Sequence, residues 1–291
     1  MSQSANNTAI GQDAIVEKGW FKTHQWLLMR RATQLSILGL FLLGPLAGIW
    51  WIKGNLSASL FLDTIPMADP FLLLQTLFTG HLPEMTAIIG AAIIFGFYFF
   101  VGGRVFCSWV CPVNIVTDSA GWLRRRLGLR KSTQLSRSLR YWILAMCLIT
   151  PLFTGYVVWE LVNPVSMLHR GLIFGMGMGW TLIAAIFLFD LFVSRRGWCG
   201  HICPMGAFYS LVGKFSPLKV SASDRSKCND CMDCYAVCPE PQVIRPALKG
   251  AANGVGPVII ASDCTNCGRC IDICAKNVFH YSSRFANKAE K

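Results

Sequence analysis

The sequence predicts an all-α polytopic membrane domain, four transmembrane helices arranged as two repeated hairpins, followed by a small α+β domain rich in cysteine. Three observations carry this. Hydrophobic residues make up 53% of the 291 positions and charged residues only 14%. Four apolar stretches each approach the roughly 20 residues a hydrocarbon core requires. Eight of the thirteen cysteines fall near the C-terminus in two copies of one spacing.

Residues 1–32 read as a cytoplasmic N-terminal segment. Met1 to Gly19 is polar and lacks an apolar h-region with a cleavage site, so no removable signal peptide is expected. The spans run from Thr33 to Ile52, Met85 to Gly102, Tyr141 to Trp159 and Leu172 to Val193, within a membrane domain over 33–214. Each is apolar around its circumference, without the polar stripe of a helix that half-faces water. Lys18, Lys22, Arg30 and Arg31 precede the first span. Arg104, Arg124, Arg125, Arg126, Arg130, Lys131, Arg137 and Arg140 lie between spans two and three, and Arg195 and Arg196 follow span four. The other side carries Lys53 and Arg170. This asymmetry puts both termini and the cysteine-rich domain in the cytoplasm, at a bacterial inner membrane. Topology and anionic lipid account for the net charge of +12 without nucleic acid. Trp122 to Lys131 mixes apolar residues with five cations and reads as a helix on the inner leaflet. Residues 215–223 form a linker, 224–282 the cysteine-rich domain and 283–291 a tail.

In that domain the runs are Cys228-x2-Cys231-x2-Cys234-x3-Cys238-Pro239 and Cys264-x2-Cys267-x2-Cys270-x3-Cys274. Three thiolates two residues apart wrap one corner of an iron–sulfur cube, and the fourth reaches the neighbouring cube. The expectation is a ferredoxin-like domain with two 4Fe-4S clusters. Cys228, Cys231, Cys234 and Cys274 hold one, and Cys264, Cys267, Cys270 and Cys238 the other. Zinc sites instead pair two Cys-x2-Cys units across a longer loop. Ala275 replaces the second proline, and the 25 residues between Cys238 and Cys264 are expected to add a surface loop.

A shorter motif closes spans two and four: Cys107-x3-Cys111-Pro112 and Cys199-x3-Cys203-Pro204. On a continuing helix an i, i+4 pair shares one side, and the proline ends the helix. The likeness extends backwards, since Asp69-Pro70 lies 38 residues before Cys107 and Asn163-Pro164 lies 36 before Cys199. Two repeated hairpins would bring Cys107, Cys111, Cys199 and Cys203 together, with binding at the interface between halves. A third iron–sulfur centre, a pair of redox dithiols and helix-end packing are the three readings. Cys147, alone in span three, reads as packing. Among polar residues at the spans, Glu160 and His169 lie near the outer end of span three. Asp190 sits inside span four, where a carboxylate costs about 2.5 to 3.5 kcal/mol and serves either proton transfer or a local pairing. Asp63, Asp69 and His81 lie in the other outer connection and read as interfacial residues and caps.

Four spans, paired Cys-x3-Cys-Pro motifs and a two-cluster module, preceded by Lys18-Gly-Trp-Phe-Lys-Thr-His-Gln-Trp26, resemble the NapH-type membrane quinol dehydrogenase subunit of periplasmic nitrate reductase systems. Leu60-Phe-Leu-Asp-Thr-Ile-Pro66, Ser108-Trp-Val-Cys-Pro112 and Gly197-Trp-Cys-Gly-His-Ile-Cys-Pro204 carry the likeness to that subunit specifically. The resemblance implies quinol oxidation and delivery of electrons, with a ferredoxin-type NapG-like partner, towards a periplasmic nitrate reductase. Glu160, His169 and Asp190 are then candidates for quinol and proton handling. Copper-reducing assembly factors of the CcoG type and a redox-sensing scaffold are the alternative functions.

Overall fold

The computed structural model describes residues 10–288 apart from 130, 134, 176 and 178. Residues 1–9 of the N-terminal segment, Arg130 of the basic stretch and residues 289–291 of the tail thus lie outside the described residues. The chain divides into two compact units, one of Arg31–Ser216 and one that joins the segment up to Arg30 with Pro217 onward.

The chain is mostly helical. Trp20–Ala47 is a 28-residue helix, long and apolar enough to cross a membrane. Its C-terminal end comes earlier than the sequence suggests, because Pro45 sits in the last turn and Ile52 already belongs to a strand. Three shorter apolar helices follow at Met85–Val101, Leu139–Thr154 and Gly179–Leu188, the last continued by a π-helical turn at Phe189–Val193. Their outward faces are their greasy ones. Ile89, Ile93, Phe97 and Phe100 form an exposed stripe on Met85–Val101, whereas Gly90, Ala91 and Tyr98 are buried. Trp142, Met146, Ile149 and Phe153 do the same on Leu139–Thr154.

The connection after the first helix is a structured element that helical periodicity does not reveal. Ile52–Gly54, Ala58–Phe61 and Ile65–Ala68 form a three-stranded antiparallel sheet, with Ile52 opposite Phe61 and Phe61 opposite Ile65. Its first turn needs glycine: Gly54 has φ +107°, and a Cβ there would stand 2.3 Å from the Ala58 carbonyl oxygen. Asn55 locks that turn by accepting from the Ser57 and Ala58 amides. Leu62 and Asp63 both take positive φ in the three-residue second turn, which the Thr64 amide closes by donating to the Phe61 carbonyl. The sheet leads into the helix Pro70–Phe78, whose N-cap is Asp69 with Oδ1 accepting from Phe71 N at 3.2 Å. The second half repeats this start: Asn163 caps Pro164–Phe174 by accepting from Val165 N at 3.0 Å. In both cases proline occupies the first helical position, where its missing N–H costs nothing.

The other unit holds the eight clustered cysteines. Leu218–Ser221 pairs antiparallel with His280–Ser283, and the short helices Asp233–Val237 and Arg269–Ile273 pack on each other. The residues expected to be a linker therefore include a strand, and Val220 and Ala222 are buried. The insert between the cysteine runs is more than a surface loop: it forms the helix Ile244–Lys249, and Ile244, Ala247 and Leu248 enter the core with Ile259. The i, i+3, i+4 spacing of those three apolar residues is the reason. The N-terminal segment belongs here too. Buried Asp272 accepts from the Trp26 and Leu27 amides and from Arg269, Lys18 donates to the Ile271 carbonyl, and Trp26 meets Tyr281 edge-on at 4.7 Å.

Candidate functional site

The two cysteine runs share one backbone. Asp230 and Asn266, then Met232 and Gly268, take left-handed φ at matching places between the thiols. The grouping is crossed. Burial and then the charges of Cys231, Cys274 and Cys228 push the Cys234 thiol up to about 12. Cys231 is raised by burial and by Cys274 and Cys228. Cys238, from the first run, is pushed well up by burial and by Cys267 and Cys264, and Cys270 by burial and by Cys267, Cys238 and Cys264. Cys234 thus sits in the field of Cys231, Cys228 and, from the second run, Cys274, while Cys238 of the first run sits in the field of Cys264 and Cys267. Four thiols gathered in one apolar nook repel as anions unless a positively charged core sits between them, the donor set of a four-iron cube. Among the described residues no three His, Cys, Asp or Glu are packed closely enough for one metal ion. Thiols on separate irons of a cube stand wider apart than thiols sharing one ion at about 2.3 Å.

The Arg31–Ser216 unit brings the other four cysteines together. Phe106–Val110 and Trp198–Ile202 are single π-helical turns rather than continuing α-helix, closed by Cys111 N to Phe106 O and Cys203 N to Trp198 O, both at 2.9 Å. Cys111 and Cys203 are then extended, with ψ 119° and 114°, as a residue before proline prefers. The wider π turn replaces the expected i, i+4 face, and the four thiols lie within one another's field. Burial raises Cys111, as do the charges of Cys107 and Cys203. Cys203 is pushed up to about 12 by burial and by Cys107, and Cys199 well up by burial, Asp190, Cys203, Cys111 and Cys107.

Cations answer this concentration of thiols. Arg104 and Arg140 are 2% and 1% exposed. Arg104 donates to the Cys199 carbonyl at 3.2 Å and Arg140 to the Gly200 carbonyl at 3.4 Å, and both charges oppose the upward shift that burial imposes on Cys107. Gln34, wholly buried, donates to the Ser108 and Cys111 carbonyls. At Gly206 a Cβ would lie 3.2 Å from the Cys199 carbonyl oxygen and 4.0 Å from Cys203 Sγ, so the following helix packs closely on the second motif. Sequence reading took Arg104 and Arg140 as topology signals and missed Gln34. Arg124, expected on the leaflet surface, is also buried and donates to the Leu191 carbonyl at 2.6 Å.

An apolar cavity of about 380 Å³ adjoins the first π turn. Phe106 and Val110, the neighbours of Cys107 and Cys111, form part of its wall, and Asp69 and Tyr209 supply its polar edge, with Tyr209 OH donating to Asp69 Oδ1 at 3.0 Å. Burial pushes the Asp69 carboxyl up to about 6, against the hydrogen bonds from Phe71 N and Tyr209. Glu160, His169 and Asp190 do not line this cavity. Glu160 accepts from Asn163 Nδ2 at 3.0 Å. His169 is buried edge-on against Phe41 at 5.0 Å with neither ring nitrogen hydrogen-bonded. Asp190 Oδ1 accepts from Trp198 N at 2.9 Å and so braces the second π turn. Cys147 is half-buried beside the core of this unit.

Family models described as "4Fe-4S binding domain" match residues 84–130 and 176–223, one over each Cys-x3-Cys-Pro hairpin, and "4Fe-4S dicluster domain" matches 227–278. These define an iron–sulfur electron-transfer protein, one of whose helices is long and apolar enough to cross a membrane. The chain is 48% identical over 280 residues to "Ferredoxin-type protein NapH" of Haemophilus influenzae, covering 96% of this chain and 97% of that protein. It is 51% identical over 272 residues to "Methylamine utilization ferredoxin-type protein MauN" of Methylorubrum extorquens, covering 94% of each. A NapH of Escherichia coli matches at 48% over 281 residues, 96% of this chain and 97% of that one. The chain belongs to this NapH/MauN family of ferredoxin-type proteins. No solved structure matches it.

Proposed function

We propose that this chain oxidises quinol in the bacterial inner membrane and passes the electrons through iron–sulfur centres towards a periplasmic nitrate reductase, with a NapG-like ferredoxin-type partner. The observation that carries the reading is the convergence of Cys107, Cys111, Cys199 and Cys203 beside two buried arginines. In this reading Cys228, Cys231, Cys234 and Cys274 hold one 4Fe-4S cluster, Cys238, Cys264, Cys267 and Cys270 a second, and the four membrane-unit cysteines a third. Such clusters, when bound, supply one-electron acceptors. The chain's own work is to hold the thiols, offset their charge with Arg104 and Arg140, and keep water from them.

Four spans are proposed, the long helix and the three shorter apolar ones, because their exposed faces are apolar stripes that water would disfavour and lipid accepts. The excess of Lys and Arg on one side supports cytoplasmic termini and a cytoplasmic cluster domain. A second reading of the destination rests on the 51% identity to the methylamine-utilisation relative: the electrons would serve methylamine rather than nitrate metabolism. Growth of a deletion strain separates the two, since loss on nitrate supports the first and loss on methylamine the second.

The centres are tested by iron and sulfide analysis of the purified chain against a Cys107→Ala, Cys199→Ala double variant. The third centre predicts about twelve iron in the parent, four per cube, and about eight in the variant. About eight in both removes it.

A further inference from the structure

The cavity beside the first π turn has the size and lining of a small-molecule site, and its one carboxylate is not explained by the fold. Its volume, about 380 Å³, lies within the range of ligand pockets, and its walls are apolar apart from a few groups at one edge. Tyr209 stacks on Phe106 at 4.9 Å and meets Tyr98 edge-on at 5.2 Å, an aromatic wall suited to a flat ring. Asp69 caps a helix, but capping does not need its charge. Asn163, at the same place in the second half, caps its helix with a neutral amide. The carboxylate at 69 is therefore a surplus buried charge, 7% exposed and held by the Tyr209 hydroxyl at the cavity edge.

We propose that this cavity binds the hydroquinone ring of a lipid quinol and that Asp69 is the catalytic base for its oxidation. The proposal rests on the quinol-oxidising function above and adds the place and the proton acceptor. One hydroxyl hydrogen-bonds to Asp69. Its O–H bond breaks, the proton forms the neutral Asp69 acid, and the electron leaves to a one-electron acceptor of the iron–sulfur class. Asp69 then releases that proton to water, and the second hydroxyl gives its proton to the restored carboxylate and its electron to the same class of acceptor, so that quinone, two protons and two electrons balance one quinol. Tyr209 is a positioning residue that fixes the carboxylate. The cavity shares its wall with the turn that carries Cys107, which keeps the donor ring next to the four-thiol centre. Burial keeps Asp69 a competent base near neutral pH, where general bases work best. The titratable groups that face it are Tyr209, Tyr98 and Glu160, whose charge adds to the upward push.

The test uses the full-length, cluster-loaded protein in detergent. Binding of a hydroxyquinoline N-oxide, a quinol analogue, is followed by its fluorescence quenching, and cluster reduction is followed spectroscopically after mixing with menadiol or with dithionite, from pH 5 to 8. Asp69→Asn keeps the cap, so iron content and dithionite reduction should match the parent. Its menadiol rate should fall about 100-fold or more, the scale of a lost general base, and lose the parent's decline below pH 6. Ile94→Trp, which fills the cavity, should weaken analogue binding at least tenfold with iron content retained. Menadiol reduction by Asp69→Asn within threefold of the parent at all pH values, or unchanged analogue binding in Ile94→Trp, overturns the proposal while leaving quinol oxidation standing. A parent that dithionite reduces and menadiol does not overturns quinol oxidation itself, and the proposal with it.

Discussion

The two Cys-x3-Cys-Pro halves share a scaffold and differ in what they bury. Each begins with a capping side chain before proline, at Asp69 and Asn163, and ends in a five-residue π turn with an extended cysteine. Each carries an arginine three residues ahead of its first cysteine, Arg104 and Arg196. The first half sets an acid against a tyrosine at the edge of a cavity. The second sets an amide against Glu160 and Ser166 in a closed hydrogen-bonded group. Arg196 is answered by an ion pair with Asp118, whereas Arg104 turns to the Cys199 carbonyl and the Cys107 thiol. Duplication thus explains four matched thiols, and divergence explains why the two capping positions differ in charge.

The strongest way to break the comparison is at the thiols, where the halves should behave alike. Cys111→Ser and Cys203→Ser occupy equivalent extended positions before proline. Each should remove about four iron per chain, leaving the two clusters of the other unit intact. Iron analysis showing a loss in one variant and none in the other would mean that the two motifs do not share a centre.

The caps should behave oppositely. Asp69 is pushed up to about 6 from an ordinary 3.8. A carboxyl raised on folding contributes stability that is present below the unfolded value and lost as pH rises through the folded one. The difference corresponds to about 3 kcal/mol, lost between roughly pH 4 and 6. Asp69→Asn should therefore melt higher than the parent at pH 8 and alike at pH 4. Asn163→Asp puts a new acid at a site 1% exposed beside Glu160 and should melt lower at pH 8. Thermal melts in detergent at the two pH values decide both, and an Asp69→Asn protein less stable at pH 8 would show that the carboxylate is structural.

Much of this was legible in the residues. Cysteine spacing implied 4Fe-4S binding, as the matching family models support, and the repeated dipeptides Asp69-Pro70 and Asn163-Pro164 implied two matched helix starts, because caps and prolines act locally. The π turns were not legible, since the same spacing suits an α-helix and only the tertiary demand to bring the four thiols together selects the wider turn. Arg104 and Arg140 were counted as topology charges, and the count cannot tell a lipid-facing arginine from one folded under a carbonyl. The Asp69–Tyr209 pair joins residues 140 apart and leaves no local pattern. The sheet at Ile52–Ala68 hid for a related reason: its strands are three or four residues long, too short for alternation to stand out.

The finest contrast lies in the arginines. If Cys107, Cys111, Cys199 and Cys203 hold a cluster, a nearby positive charge stabilises its reduced, more negative state. Arg104 is such a charge, hydrogen-bonded to the Cys199 carbonyl and to the Cys107 thiol. Arg196 also lies in reach of Cys199, but Asp118 cancels much of its field. Arg104→Gln should lower the midpoint potential of that centre by about 30 mV, roughly 0.7 kcal/mol for one electron. Arg196→Gln should shift it less, since removing the arginine also leaves Asp118 to its other partner, Arg31. A redox titration followed by electron paramagnetic resonance measures both. Equal shifts would mean that the field at the centre is set by the repeat's symmetry, and a larger shift at Arg104 that it is set by the half that carries the cavity.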